Sequence, residues 1–174
     1  MKHFKFVLLL AAFSSLGLHC KKEEKDYSSI LPPATQTGKN LAGCVVNGQV
    51  WVPSQEWNAL DWLPNGRFLL QLEKKVNYGG TSHISISLYD TVKQAGVYEI
   101  SDNTLYSSIG WFGWDDWNGW YTRYRTVNNY KGYLIVSRLD TQQRIISGLF
   151  YFDAIEANTS DVVHVTDGRF DMHY

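Results

Sequence analysis

Lys131-Gly132-Tyr133-Leu134-Ile135-Val136-Ser137-Arg138, the polar turn Leu139-Asp140-Thr141-Gln142-Gln143, and the run Arg144 to Ala154 carry the plainest sheet signal in the chain. The first run is dense in aromatic and β-branched residues, which suit a pleated, half-buried surface. In the second, Ile146, Gly148, Phe150, Phe152 and Ala154 fall on one face, and Ile145, Ser147, Leu149, Tyr151 and Asp153 on the other. That two-residue period is the period of a strand. Asn158-Thr159-Ser160-Asp161 turns the chain, Val162 to Thr166 reads as a third strand, and Arg169 to Tyr174 closes it. Gly148, in mid-strand, predicts a bulge or close packing by an aromatic ring. Asp167-Gly168 predicts a turn or a bulge that resets which side chains face inward. Arg169 and Asp171 share one face and are expected to pair with neighbours across the sheet.

Working outward, the same grammar recurs. Cys44-Val45-Val46 and Gln49-Val50-Trp51-Val52 flank Asn47-Gly48, a dipeptide that tolerates positive φ and predicts a tight hairpin. Cys44, set among valines, reads as a small buried hydrophobe. Pro53 ends that run, and residues 54 to 66, with Trp57 and Trp62, read as a loop or one short helical turn. Arg67 to Lys75 alternates with Phe68, Leu70 and Leu72 inward, and His83 to Tyr89 with Ile84, Ile86 and Leu88 inward. Gly96 to Ile100 is a further short strand, and Thr104 to Ile109 is expected to pair with Tyr121 to Val127. No run holds a helical period over three turns. About nine or ten short strands imply an all-β domain, an antiparallel two-sheet β-sandwich with meander-like C-terminal strands. A lipocalin-like β-barrel is the alternative, since neither period nor turn length separates the two.

The N-terminus is read as an address. Lys2 and Lys5 precede an apolar stretch, Phe6 to Leu18, that is short for a membrane span and suits a secretory signal. His19-Cys20 follows, then Lys21-Lys22-Glu23-Glu24-Lys25-Asp26. A cysteine at that place resembles the lipidation site of a bacterial lipoprotein signal, with Cys20 the first residue after cleavage. The charged run resembles the export tag of surface-exposed lipoproteins of the Bacteroidota. His19 departs from the Gly, Ala or Ser usual before such a cysteine. The expected organisation is a signal peptide over residues 1–19, a lipid-anchored flexible linker over 20–42 with the pair Pro32-Pro33, and one domain over 43–174. The expected location is the outer membrane, with the domain exposed at the cell surface. Residues 20–174 carry 14 basic and 17 acidic side chains. That balance gives no electrostatic basis for holding a nucleic-acid backbone. With Cys20 lipidated, Cys44 has no disulfide partner and stability must come from burial.

Gly110-Trp111-Phe112-Gly113-Trp114-Asp115-Asp116-Trp117-Asn118-Gly119-Trp120-Tyr121 is the most unusual segment. Its tryptophans recur every third residue, but its glycines oppose a helix, so a loop or twisted hairpin tip is expected. Tryptophan faces stack on the apolar faces of sugar rings, and neighbouring carboxylates and amides bind hydroxyls. The candidate ligand-binding set is therefore Trp111, Trp114, Asp115, Asp116, Trp117, Asn118 and Trp120, joined by Trp57 and Trp62 if the two long loops share an end of the domain. The same rings serve equally as a protein interface or as a packed minicore. Asp115, Asp116 and Asn118 lack the spacing of a calcium loop, and no metal or cofactor is expected.

Signals for catalysis are sparse. His83, His164 and His173 have no metal-ligand spacing, and there is no nucleophile elbow, phosphate-cradling loop or dinucleotide fingerprint. Asp115 or Asp116 with Glu99 or Glu56 is the nominal carboxylate pair for sugar hydrolysis, an unspecific match. Asn158-Thr159-Ser160 fits an N-glycosylation acceptor, and Asp90-Thr91-Val92 an O-glycan acceptor triplet, each equally well explained as a turn.

Three segments resemble an uncharacterised family of small Bacteroidota lipoproteins built on a domain of unknown function. They are Leu31-Pro32-Pro33-Ala34-Thr35-Gln36-Thr37-Gly38; Gly43-Cys44-Val45-Val46-Asn47-Gly48; and Ile145-Ile146-Ser147-Gly148-Leu149-Phe150 with Val165-Thr166-Asp167-Gly168-Arg169-Phe170-Asp171. The resemblance implies an exported, membrane-tethered β-rich domain, with the Pro-Pro stretch leading into it. It brings no catalytic residue and no ligand, and it does not include the tryptophan segment.

Overall fold

A computed structural model describes residues 26–54, 58–76, 80–89, 91–102, 109–115, 121–127 and 129–174. Among the described residues eleven strands are formed: β1 (Leu41–Val46), β2 (Gln49–Trp51), β3 (Ala59–Trp62), β4 (Phe68–Lys75), β5 (Thr81–Leu88), β6 (Gly96–Ile100), β7 (Ile109–Asp115), β8 (Tyr121–Arg125), β9 (Gly132–Asp140), β10 (Ile145–Glu156) and β11 (Val162–His173). Every pairing among them is antiparallel. The expected all-β class holds.

β10 is the hub. One edge carries β11 from Ile145↔His173 to Ile155↔Val162. The other carries β9 from Ile145↔Asp140 to Phe152↔Gly132, then β8 at Ile155↔Arg125 and Glu156↔Tyr124. The sheet therefore forks: β6 extends the β9 branch, and β8-β7-β5-β4-β3 forms the other. The second branch folds back over β10, β11 and the β1–β2 end, so the two layers are parts of one large sheet. Pairings among the described residues run from β2 to β3 without joining those ends into a closed barrel.

Strict alternation makes one core between the layers. Ile146, Phe150, Phe152, Ala154 and Phe170 face Phe68, Leu70, Leu72, Ile84 and Ile86, all buried. Phe68 and Phe170 meet across the layers at 5.8 Å, and Gly110 of β7 sits against the Phe152 ring. Each such side chain contributes about 2 kcal/mol by leaving water.

The irregularities fall where the sequence marks them. Gly148 lies at a register shift between β9 and β10. A Cβ there would stand 2.1 Å from the Ile135 carbonyl oxygen and 3.0 Å from the Phe170 ring. At Asp167-Gly168, β11 carries an extra residue against both β10 and β1. Asp167 takes the positive φ, 53°, while Gly168 leaves room for Phe150. Asn47 and Gly48, at φ 48° and 77°, form the expected hairpin turn.

Several expectations need correction. Within the stretch read as a loop or helical turn, residues 59–62 form β3, which takes up the free edge of β4. The ring-rich segment is half strand: residues 109–115 form β7, paired with β5 and β8. Glycine suits the strand at Gly110, where an added Cβ would stand 3.0 Å from the Phe152 ring. The partner of residues 121–125 is accordingly 111–115, not 104–109. The segment expected as flexible linker is, from Tyr27 on, laid against the sheet, with Leu31 buried. Asp171 does pair across the sheet, with the hydroxyl of its register partner Ser147, and takes the rest of its partners from that segment rather than from a cation among the described residues. Its carboxylate accepts hydrogen bonds from the Thr35 hydroxyl (2.5 Å), the Thr37, Gly38 and Lys39 amides (3.0, 2.8 and 3.3 Å) and the Ser147 hydroxyl (2.7 Å). Arg138 donates to the Gln36 carbonyl, the His173 amide donates to Asn40 Oδ1, and Tyr27 Oη donates to the Gly48 carbonyl.

Candidate functional site

The inner face of β4-β5-β7-β8 ends in two rows set by register. Leu72, Ile84, Phe112 and Tyr124 form one; Lys74, Ser82, Trp114 and Thr122 form the next, at the rim. Burial falls off across these rows. Phe112 is buried, whereas Trp114 keeps 40% of its surface exposed. Trp114 is held by ring contacts to Phe112 at 6.0 Å and Tyr124 at 5.8 Å. Facing it is the β1–β2 hairpin. Between them lies a cleft of about 280 Å³ lined by Val46, Gln49, Val50, Trp51, Lys74, Val76, Ser82, Phe112 and Trp114.

The walls are stiff. Trp51 is buried, and its indole N–H donates to Ser82 Oγ at 2.9 Å, tying hairpin to opposite layer. The hairpin is itself pinned to β11: the Asn47 amide donates to the His164 carbonyl, and the His164 amide donates to Asn47 Oδ1. Burial, aided by the charges of Asp161 and Glu156, raises the Tyr124 phenol, which stays neutral. Below the hairpin, burial pushes the Cys44 thiol far above its ordinary range; the Lys74 charge opposes this and Asp167 adds to it. Cys44 is thus an inert core residue, as expected.

Chemically the cleft offers ring faces, an amide at Gln49 and an ammonium at Lys74. Its described lining includes no carboxylate, histidine or thiol. Among the described residues no group of three His, Cys, Asp or Glu side chains is arranged to hold a metal ion, and no helix is long and apolar enough to cross a membrane.

Of the predicted residues, Trp114 lines this cleft. Trp111 and Asp115 occupy β7 in register with Ser85 and Thr81. Trp57, Asp116, Trp117, Asn118, Trp120 and Cys20 lie outside the described residues, as do Glu56 and Asp90. Trp62 is not brought to Trp114. It sits on β3 opposite Phe68, at the far end of β4 from Lys74, about 20 Å along the strand. It is only 8% exposed, its N–H donates to the Val92 carbonyl at 2.7 Å, and its ring meets Tyr174 at 5.2 Å. It packs the core. Sequence reasoning missed Trp51, Lys74 and Gln49, which carry no local signal and become neighbours of Trp114 only through layer packing. It also missed an exposed strip on the outer face of β6-β9-β10, where Val97 (66% exposed), Leu149 (41%) and Tyr151 (45%) lie beside the Tyr133–Tyr151 ring pair.

No protein-family model, curated protein or solved structure matches the chain.

Proposed function

We propose that this protein is a non-enzymatic binding module, anchored to the outer membrane by lipid on Cys20 and exposed at the cell surface, that takes a sugar ring in the cleft at Trp114. The observation that carries this reading is a large ring, 40% exposed, fixed by two aromatic neighbours at the rim of a preformed cleft. An exposed, rigid aromatic face binds the apolar face of a pyranose with little loss of conformational entropy. Gln49 supplies donors and an acceptor for hydroxyls beside it. Charges of both signs on the charged leader extension and the absence of any nucleic-acid-type basic surplus fit a solvent-facing passenger.

The test is a glycan array with the Cys20→Ser chain secreted in soluble form. Binding of at least one oligosaccharide, lost in Trp114→Ala with an unchanged melting temperature, is expected. Retention of binding in that variant, or silence across the array, removes the reading. Palmitate labelling of the intact chain, abolished by Cys20→Ser, tests the anchor separately.

A further inference from the structure

We infer that the cleft selects an acidic sugar: a uronic acid whose carboxylate meets Lys74 while its ring lies on Trp114. This deepens the sugar-binding reading and rests on it. Lys74 is the one charged residue among the described lining, and its ammonium makes no hydrogen bond or ion pair among the described residues. Register puts it on the same face as Trp114, with Ser82 between them. It lines the space between hairpin and layer together with Gln49, Trp51 and Trp114. The nearest other lining groups are apolar or neutral, and the Ser82 hydroxyl is already engaged, accepting from Trp51 and donating to the Lys74 carbonyl. A neutral sugar can offer this ammonium only hydroxyl oxygens; a carboxylate adds opposite charge and a stronger, charge-assisted hydrogen bond. A volume of about 280 Å³ sits at the small end of ligand sites and accommodates a ring or two, not an acyl chain along its length.

The experiment is calorimetric titration of the soluble chain with an oligogalacturonate and with its methyl ester, which keeps the ring and removes the charge. The acid is expected to bind about tenfold more tightly than the ester at low salt, with the gap closing as salt is raised. Lys74→Gln is expected to abolish the gap by weakening the acid alone, and Lys74→Arg to keep most of it, which separates loss of charge from loss of fold. Trp114→Ala is expected to weaken both ligands. Equal binding of acid and ester, or an acid preference that survives Lys74→Gln, overturns the inference while leaving sugar binding in place. A dodecanoate that binds more tightly than either saccharide, or no saccharide binding at all, overturns both.

Discussion

At the scale of single residues, Asp171 does the most with the least surface. Burial pushes its carboxyl pKa up, but hydrogen bonds from Thr35, Ser147, Gly38 and Thr37 outweigh that and hold it well below the ordinary carboxylate range. The stabilisation is therefore fully present above the unfolded value of about 3.9, and is lost as pH falls through that value toward the folded one. Asp171→Ala leaves several donors facing no acceptor and should cost about 3 kcal/mol in urea unfolding at pH 7. The melting temperature of Asp171→Asn should fall less steeply than that of wild type between about pH 5 and pH 3, because the titrating group is gone. Parallel curves would show that another carboxylate governs the acid limb. Cys44 gives a second residue-level outcome. In a Cys20→Ser chain its raised, buried thiol should stay unreactive to a disulfide reagent at pH 8 and react once on unfolding. Rapid labelling of the native protein would contradict its burial.

At the scale of elements, the β1–β2 hairpin joins fold to site. Its turn depends on Asn47 at φ 48°, and its angle to the body depends on the exchange of hydrogen bonds between Asn47 and His164. Asn47→Ala places a Cβ-bearing residue without a side-chain acceptor in the left-handed region and should cost about 2 kcal/mol. Asn47→Gly should restore roughly half, since it relieves the backbone but not the lost acceptor. Both variants should weaken any cleft ligand, because Val46 and Gln49 flank the turn and line the cleft. Thermal unfolding with ligand titration reads both effects. β10 gives a sterner case. Gly148→Ala drives a methyl to 2.1 Å from the Ile135 carbonyl oxygen, so β9 must move and about 3 kcal/mol should be lost.

At the scale of the whole molecule, residues 31–40 act as a strap held to the outer face at Asp171, whose carboxylate also takes the Ser147 hydroxyl. Its hold is cooperative, since Thr35, Thr37, Gly38 and Lys39 share one carboxylate. Trypsin should spare the Lys39–Asn40 bond in wild type and cut it readily in Asp171→Ala; equal rates would show that the strap is held elsewhere. Thr35→Val and Asp171→Ala should be non-additive by about 1 kcal/mol or more. Local pattern alone determined much of this protein: the strands of the C-terminal meander, the inward rows on β4 and β5, the Asn47 turn, and the breaks at Gly148 and Asp167. Each rests on a period of two or on a backbone preference, and such information is written within a few residues. Tertiary structure decided the rest. Phe112 and Trp114 became part of a strand because β5 and β8 offered them edges, and Trp62 became core because Tyr174 and the Val92 carbonyl were there to meet it. The strap found its order in a carboxylate more than 130 positions away, and the cleft in the meeting of a hairpin with the far layer. Packing between segments distant in the chain is a sum of pairings that no single segment encodes, and that is why sequence reading stopped at the strands.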